Sequence, residues 1–332
     1  MKKILVIQTA FIGDAVLATG IIEKLHYFFP ETAIDLLVRK GNEQLFIDHP
    51  FLNEVLTWDK KIKKYRHLLQ LLKIIRSRRY DKAINIQRYA ASGFLTAFSK
   101  AGETIGFEKN PFSFLFDKKI SHRFGNNDNA VHEIQRNNEL IRELTDHVPM
   151  KPKLYPSIQD FEKVKPYKHV PYICISPASV WFTKQYPGEK WISFINNIPE
   201  PFNIFLLGAP GDNKLCEEIK SSTRNALVIN LCGQLSFLES AALMQDAAMN
   251  YVNDSAPLHF ASAVNAPVTA VYCSTIPAFG YGPLSVKSFI AETEELLSCR
   301  PCGLHGYKAC PEKHFKCAFT IKDEQLLQTI PV

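Results

Sequence analysis

The feature that most constrains the fold is an alternation of short apolar runs with amphipathic stretches, which recurs in both halves of the chain. In the first half we predict a helix over residues 14–29 and strands over 4–7, 34–38, 55–58 and 82–86. Strands that are apolar throughout and separated by helices indicate a parallel sheet covered on both faces. The first half is therefore predicted to be an α/β domain.

The second half repeats this pattern, so a second α/β domain is expected. Strands are predicted over 172–176, 204–208, 227–230, 251–253 and 268–272, and helices over 189–197, 212–222, 236–248 and 257–264. Between the halves, a helical pattern over 130–147 is followed by a polar, proline-rich segment over 149–171 that is typical of a linker. We place the boundary at Pro156 and predict domains 1–156 and 157–332, which 332 residues are enough to build.

Charge and hydropathy exclude several classes of protein. The net charge of +6 and pI of about 8.8 are moderate, so no nucleic-acid partner is expected, although acidic partners such as phosphorylated lipids would suit this charge. Gln8 and Asp14 interrupt the first apolar run, which argues against a signal peptide. No apolar stretch reaches the roughly 18 residues of a membrane-spanning helix, and we expect a cytoplasmic protein.

A basic segment follows the third predicted strand. Between Lys60 and Arg79 there are nine lysines and arginines and no acidic residue. An apolar stripe at helical spacing runs through the same segment: Leu68, Leu71, Leu72 and Ile75. The stripe predicts an amphipathic helix, whose cations either are only solvated or make peripheral contact with an anionic membrane.

The eight cysteines fall into two groups. Four lie in apolar segments and are predicted to be buried thiols: Cys174, Cys216, Cys232 and Cys273. The other four crowd near the C-terminus: Cys299, Cys302, Cys310 and Cys317. With His305 and His314 nearby, their spacing is compatible with a structural zinc site, but reduced thiols are the favoured interpretation and redox chemistry is the third. No metal or cofactor is predicted for the functional site.

Ligands bind beyond the carboxyl ends of parallel strands, which directs attention to the loops after Gln8, Ser176, Gly208 and Asn253. Asp14 lies in the first of these loops, near the start of the predicted helix. It is either a simple helix cap or a carboxylate held at the rim of a site, where it would act as a general base.

Two further strand ends carry polar side chains. Lys184 follows the strand that ends at Ser176, and is either a solvated lysine or a cation that neutralises a diphosphate. Asp254 and Ser255 precede a predicted helix, and the N-terminal end of a helix binds phosphate. His259 lies in the first turns of that helix and is either a buried structural residue or a ligand of the same anion.

The motifs, taken together, resemble those of the lipopolysaccharide heptosyltransferases, glycosyltransferase family 9. In chain order, they are Ile12-Gly13-Asp14-Ala15-Val16-Leu17-Ala18-Thr19, Ile105-Gly106-Phe107, Lys184-Gln185-Tyr186-Pro187, Glu189-Lys190-Trp191, Leu207-Gly208-Ala209-Pro210, Asn253-Asp254-Ser255-Ala256-Pro257-Leu258-His259 and Ala266-Pro267-Val268. The resemblance spans nearly the whole chain. It implies the GT-B fold, in which two Rossmann-like domains with parallel sheets face a central cleft, the first binding the acceptor and the second the nucleotide sugar.

The resemblance also implies a reaction: inverting, metal-independent transfer of heptose from ADP-heptose to an acidic glycolipid of the lipopolysaccharide inner core. Asp14 would be the general base and Lys184 would stabilise the diphosphate. The remaining donor contacts would come from Ser179, Val180, Leu235, Asp254, Ser255, Ala256 and His259, with Leu235 beside the adenine. Arg88, Arg123 and Arg136 are candidates for binding acceptor phosphates. The enzyme would work at the inner face of the inner membrane.

Two positions depart from the family pattern, and other functions compete. Ala256 stands where the family usually has glycine, and Val180 replaces a hydroxyl residue, so different donor contacts are expected. A transferase that uses another nucleotide sugar for a different surface polysaccharide, a nucleotide-sugar epimerase and a silent sugar-nucleotide binding protein are the alternatives. A dinucleotide-dependent oxidoreductase is disfavoured because neither half opens with the glycine fingerprint.

Overall fold

A computed structural model describes residues 1–123, 130–199 and 202–331. These residues form two compact units: the first contains residues 1–123 and 131–155, and the second contains residues 130, 156–199 and 202–331. Within the described ranges, no helix combines the length and the apolar character needed to cross a membrane.

The first unit is built on one six-stranded parallel sheet. Its strands are β1 (Lys3–Gln8), β2 (Ala33–Arg39), β3 (Glu54–Trp58), β4 (Lys82–Asn85), β5 (Glu103–Phe107) and β6 (Lys118–Ile120). Its helices are α1 (Ile12–Phe28), α2 (Lys64–Arg78), α3 (Ala90–Ala97) and α4 (Glu133–Glu139). The strand order β3-β2-β1-β4-β5-β6 is that of the Rossmann fold, and it places β1, with its apolar run Ile4–Ile7, at the centre of the sheet.

The second unit repeats this topology. Its strands are β7 (Tyr172–Ser176), β8 (Asn203–Leu206), β9 (Val228–Asn230), β10 (Met249–Asn253), β11 (Val268–Tyr272) and β12 (Ser288–Glu292). Its helices are α5 (Ile158–Val164), α6 (Gly188–Asn196), α7 (Asn213–Ser222), α8 (Phe237–Gln245), α9 (Ala256–Ala263), α10 (Lys316–Phe319) and α11 (Asp323–Leu327). The order β12-β11-β10-β7-β8-β9 is again the Rossmann order when the strands are counted from β7.

The apolar patterns fill the cores as predicted. The stripe Leu68, Leu71, Leu72 and Ile75 of α2 is buried in the core of the first unit, together with Leu5 and Leu37 of the sheet. In the second unit, the predicted buried thiols are all buried: Cys174, Cys216, Cys232 and Cys273. Trp191 of α6, which is fully buried, packs edge-on against Tyr186 at a centroid distance of 5.0 Å.

Several elements differ from the predictions. The expected helix over 130–147 ends at Glu139, and beyond it the carbonyl oxygens of Asp146 and Val148 accept from the buried Lys24 ammonium instead of from helical N–H groups. The proline-rich linker contains α5, because Ser157 and Asp160 form a reciprocal cap at its start. Strands β5, β6 and β12 and helix α3 were not predicted.

A buried histidine makes the stability of the first unit depend on pH. His49 is 6% exposed and packs edge-on against Tyr155, with the ring centroids 4.9 Å apart. Burial, with a smaller contribution from the charge of His26, lowers the pKa of His49 to about 4. The folded state therefore resists a proton that the unfolded chain accepts near pH 6.5.

We expect His49→Asn to flatten the pH dependence of stability. The contribution of His49 is present above pH 6.5 and is lost as the pH falls towards 4, by about 2–3 kcal/mol in total. Urea unfolding at pH 7, 5.5 and 4.5 would measure the slope for the wild type and for His49→Asn, with the exposed His169→Asn as the control. An unchanged slope in His49→Asn would show that another group causes the loss.

Candidate functional site

Both sheets reverse their strand order beside the central strand, between β1 and β4 in the first unit and between β7 and β10 in the second. Loops that leave two such neighbouring strands run to opposite sides of the sheet, and the gap between them is where doubly wound sheets bind ligands. The predicted site residues lie largely in these loops: Asp14 follows β1, Ser179, Val180 and Lys184 follow β7, and Asp254, Ser255 and Ala256 follow β10.

The centre of the site in the second unit is an ion pair between Lys184 and Asp254. Lys184 Nζ lies 2.7 Å from Asp254 Oδ2, and the two side chains are 15% and 9% exposed. The Thr275 hydroxyl donates to the same carboxylate oxygen at 2.7 Å. A buried carboxylate needs both a cation and hydrogen-bond donors, so these contacts fix the Lys184 ammonium at the carboxyl end of the sheet.

An asparagine joins the two loops that carry this ion pair. The buried Asn253 accepts a hydrogen bond from the Tyr186 backbone N–H at 2.9 Å and donates to the Pro177 carbonyl at 2.7 Å. Its side chain therefore ties the end of β10 to both ends of the Lys184 loop. Sequence reasoning placed Asn253 only within a motif and missed this role, because the contacts join residues about 70 positions apart.

Helix α9 begins directly after the ion pair. Ser255 is its N-terminal flanking residue, but its hydroxyl donates to the Asn253 carbonyl at 3.3 Å and does not cap the helix. Pro257 occupies the first turn, where a missing N–H costs nothing. His259 is 5% exposed, with its ring centroid 6.4 Å from that of Tyr281. The buried position agrees with a structural histidine.

The other predicted donor residues lie on the surrounding loops. Ser179 contributes its carbonyl oxygen to the Gln185 side-chain amide at 2.6 Å, which folds the Lys184 loop back on itself. Val180 is 78% exposed, and Leu235 lies partly exposed between β9 and α8. The structure therefore brings Lys184 and Asp254 into contact, and Ser255 and Ala256 directly follow Asp254 in the chain.

A glycine and two cysteines shape the loop after β8. A Cβ atom on Gly208 would lie 2.5 Å from Cys232 Sγ, so no larger residue fits there without displacing the sulfur. Cys232 Sγ in turn lies 3.1 Å from Cys216 Sγ. This close packing explains why glycine is required in the Leu207-Gly208-Ala209-Pro210 motif.

In the first unit, Asp14 lies in the first turn of α1 and is partly buried. The positive end of the helix dipole favours a negative charge at this position. The preceding loop is held by Gln87, whose Oε1 accepts from the Thr9 N–H at 3.0 Å and the Thr9 hydroxyl at 2.7 Å. The ends of β1 and β4 are thus joined beside Asp14, as the ends of β7 and β10 are joined by Asn253.

Cations surround this edge of the first unit. Lys60 Nζ donates to the Thr9 carbonyl at 2.5 Å, and burial, together with the charges of Arg39 and Lys64, lowers the pKa of Lys60 to about 8. Burial is the larger cause of this low pKa, and the two nearby cations that crowd Lys60 add to it. The crowding favours an anionic ligand.

The three arginines proposed for acceptor phosphates differ in exposure. Arg88 is partly buried, Arg123 is exposed, and Arg136 is 3% exposed with its Nε donating to Glu133 at 2.7 Å. Burial first, and then the charges of Arg88, Arg136 and Lys109, lowers the pKa of His122 to about 3. These cations therefore share one region of the first unit.

The C-terminal cysteines form a loose cluster in the second unit. All eight cysteines of the chain are free thiols, and Cys299 Sγ lies 3.9 Å from His314 Nε2. Across the described ranges, no three His, Cys, Asp or Glu side chains are grouped so that they could hold a metal ion. Burial and the neighbouring sulfurs raise the pKa of Cys317 to about 12, which keeps that thiol protonated.

Comparisons with known proteins agree with this architecture. The family model for glycosyltransferase family 9 (heptosyltransferase) matches residues 68–303. Lipopolysaccharide heptosyltransferase 3 of Escherichia coli strain K12 is 23% identical over 286 residues, which cover 80% of this chain and 81% of that protein.

Two solved structures show the same fold. A family 9 glycosyl transferase from Veillonella parvula DSM 2008 has a TM-score of 0.85 at 19% identity, covering 99% of this chain and 96% of its own. The E. coli ADP-heptose lps heptosyltransferase II has a TM-score of 0.78 at 20% identity, covering 99% and 97%. The prediction of a GT-B fold is confirmed. Since the family model spans well over half of the residues, the chain belongs to glycosyltransferase family 9, the heptosyltransferase family, and is a glycosyltransferase.

Proposed function

We propose that this glycosyltransferase moves a heptose from ADP-heptose to a hydroxyl of a lipopolysaccharide inner-core glycolipid, with inversion at the anomeric carbon. The observation that carries the proposal is the Lys184–Asp254 ion pair at the strand-order reversal of the second unit, in a chain of family 9. The named relatives support heptose as the sugar and ADP as its carrier.

We assign the donor to the second predicted domain, residues 157–332, which corresponds to the second unit. Lys184 would neutralise the charge that develops on the diphosphate as the bond to the sugar breaks, which is the role that a divalent metal has in other transferases. The start of α9 would contribute its positive end to the same phosphates. The chain contains no Asp-x-Asp sequence, which supports a metal-independent reaction.

The rest of the donor would lie along the loops around this ion pair. Ser179 and Val180 would line the diphosphate, Leu235 would lie beside the adenine, and His259 with Ser255 and Ala256 would complete the loop before and within α9. Val180 has no hydroxyl and Ala256 carries a methyl group where the family usually has glycine. The first difference removes a side-chain hydrogen bond to the donor, and the second adds a methyl group beside it.

We assign the acceptor to the first predicted domain, residues 1–156, which corresponds to the first unit, with Asp14 as the general base. Asp14 would accept the proton of the acceptor hydroxyl while the oxygen attacks the anomeric carbon from the face opposite ADP. The cations at the same edge of this unit, Lys60 and Arg88 among them, match a phosphorylated acceptor. Lys60 lies directly against the loop before Asp14.

We expect Asp14→Asn to reduce kcat by about 100- to 10,000-fold while leaving ADP affinity within about twofold of the wild type. Asparagine keeps the shape of the side chain but cannot accept the proton. Initial rates with ADP-heptose and calorimetric ADP titration are the measurements, and Asp48→Asn is the control, since Asp48 is exposed and its positive φ of 54° suits asparagine. Equal losses of kcat and of ADP affinity would contradict the assignment of Asp14 as the general base.

Lys184→Ala should weaken ADP binding by about 10- to 100-fold as well as slow turnover, because a charge-assisted contact is removed and Asp254 is left unpaired. The matched control is Lys190→Ala, since Lys190 forms a comparable ion pair with Asp323 at 3.1 Å elsewhere in the second unit. Calorimetric titration with ADP, UDP and GDP, with and without divalent metal, also tests which nucleotide carries the donor sugar. Tighter binding of UDP or GDP than of ADP by the wild type without metal would contradict the ADP assignment.

We also assign a membrane-contact surface to α2, which would hold the enzyme at the inner face of the inner membrane. On the side of α2 away from the core, Tyr65 and Leu69 are 75% and 59% exposed, next to Ile62 at 63%. Arg66 and Lys73 flank these side chains and are exposed. Apolar side chains bordered by cations match a bilayer surface that contains anionic lipid.

The double variant Arg66→Glu/Lys73→Glu should lower affinity for vesicles containing anionic lipid by at least about 25-fold, since each surface cation contributes about 1 kcal/mol. Lys163→Glu/Lys214→Glu changes the net charge equally, at exposed positions of the second unit, and should bind nearly as the wild type does. Vesicle sedimentation at low and high salt would measure both. Equal losses in the two variants would indicate attraction through net charge alone and would contradict a specific surface on α2.

A further inference from the structure

We propose that residues 300–307, which we call the strap, are a positioning element that holds Lys184 in place against Asp254. The inference rests on the proposed function, in which Lys184 binds the diphosphate of the donor. The strap contributes no side chain to the ion pair itself. It acts through Thr183 and Gly306, which are therefore positioning residues and not catalytic ones.

The first observation is the set of hydrogen bonds around Thr183. Its backbone N–H donates to the Tyr307 carbonyl at 3.1 Å, and its hydroxyl accepts from the Tyr307 N–H at 2.7 Å. From the other side, the Ser274 hydroxyl donates to the Thr183 hydroxyl at 3.0 Å. Thr183 is 1% exposed, so the residue immediately before Lys184 is locked between the strap and the end of β11.

The second observation is that the strap is anchored beside the partner of Lys184. Arg300 donates to the Cys273 and Thr275 carbonyls at 2.8 Å each, and the Cys302 N–H donates to the Ser274 carbonyl at 2.8 Å. The hydroxyl of Thr275 bonds to Asp254. The strap therefore binds Thr183, which precedes Lys184 in the chain, and Thr275, whose hydroxyl donates to Asp254.

Gly306 provides the third observation. Its φ of +74° is a backbone conformation that favours glycine, and an added Cβ would lie 2.8 Å from Thr183 Oγ1 and 3.0 Å from Lys184 Cγ. The strap therefore lies directly on the aliphatic part of Lys184. Such contact restricts the lysine rotamers, so that less freedom is lost when the ammonium engages a phosphate.

These contacts extend beyond the part of the chain that the family model matches, which ends at residue 303. Gly306 and Tyr307 lie outside it, although they make the hydrogen bonds and close contacts that reach Thr183 and Lys184. In the proposed function, the strap would thus help to fix a cation on the donor's leaving group.

Two glycines of the strap make a matched test. Gly303 has a φ of +67°, so alanine imposes the same backbone strain as at Gly306, but the nearest atom to its added Cβ is the Tyr307 hydroxyl at 3.8 Å. Gly306→Ala should weaken ADP binding about tenfold, whereas Gly303→Ala should change it less than about twofold at a similar loss of thermal stability. Equal ADP affinity in the two variants would overturn the proposal.

Substitution at Thr183 tests the hydrogen bonds separately. Thr183→Val keeps the shape but removes the hydroxyl, and should weaken ADP binding about tenfold, while Thr183→Ser should restore it. The control is Thr269→Val, which removes an equally buried hydroxyl that bonds to Thr329 at the far end of the same unit. Weakening by Thr269→Val to the same extent would show a general loss of stability and would contradict a positioning role.

A double variant, Gly306→Ala combined with Lys184→Ala, tests the strap proposal separately from the proposed function. If the strap acts through Lys184, Gly306→Ala has no further effect on ADP affinity in the Lys184→Ala background. Persistence of the full effect would overturn the strap proposal alone. Unchanged ADP affinity in Lys184→Ala would instead contradict the proposed donor contact.

A measurement made without nucleotide distinguishes failure of the strap proposal from failure of the proposed donor contact. The rate at which an amine-acylating reagent modifies Lys184, followed by peptide mass spectrometry, reports how firmly its ammonium is held. Gly306→Ala should raise this rate several-fold over Gly303→Ala. Equal rates would overturn the strap proposal whatever Lys184→Ala does to ADP affinity.

Discussion

The buried carboxylate of Asp254 is the constraint on which the arrangement of the second unit depends. Asp254 follows β10 at the reversal of strand order and is 6% exposed, so its charge requires a cation and donors from the protein. Lys184 and Thr275 supply them from the loops after β7 and β11. Three loops that are distant in sequence therefore meet at Asp254. Asn253, which precedes it, ties two of these loops together through its side chain.

The two units share a strand order but present different charged side chains at the reversal of that order. Each has the Rossmann strand order, and each joins the ends of its two central strands by a buried amide side chain, Gln87 in the first and Asn253 in the second. The first unit presents a carboxylate, Asp14, near crowded cations, whereas the second presents a cation held by a carboxylate. In the proposed function, the same scaffold therefore accepts a proton in the first unit and holds a diphosphate in the second.

Much of the fold could be predicted from the sequence, because β1, β7 and β11 are largely apolar and are buried on both faces. Strands β6 and β12 were not predicted: β6 carries two lysines, Lys118 and Lys119, and Phe289 and Ile290 of β12 are exposed at the edge of the sheet. At the site, the loops that follow strands were predictable from the parallel topology. Thr183, Thr275 and Gly306 were not, because their importance arises from contacts between segments that only folding brings together.

The pairing of Lys184 with Asp254 also has a consequence for selectivity. Within the ion pair the two charges cancel, so Lys184 and Asp254 together present a dipole and not a net positive field. Inorganic anions, which are attracted mainly over long range, gain little there. A ligand that shares the Lys184 ammonium with the Asp254 carboxylate must instead place its anionic group in line with an N–H bond of the ammonium at close range. The site therefore selects ligands by their geometry more than by their net charge.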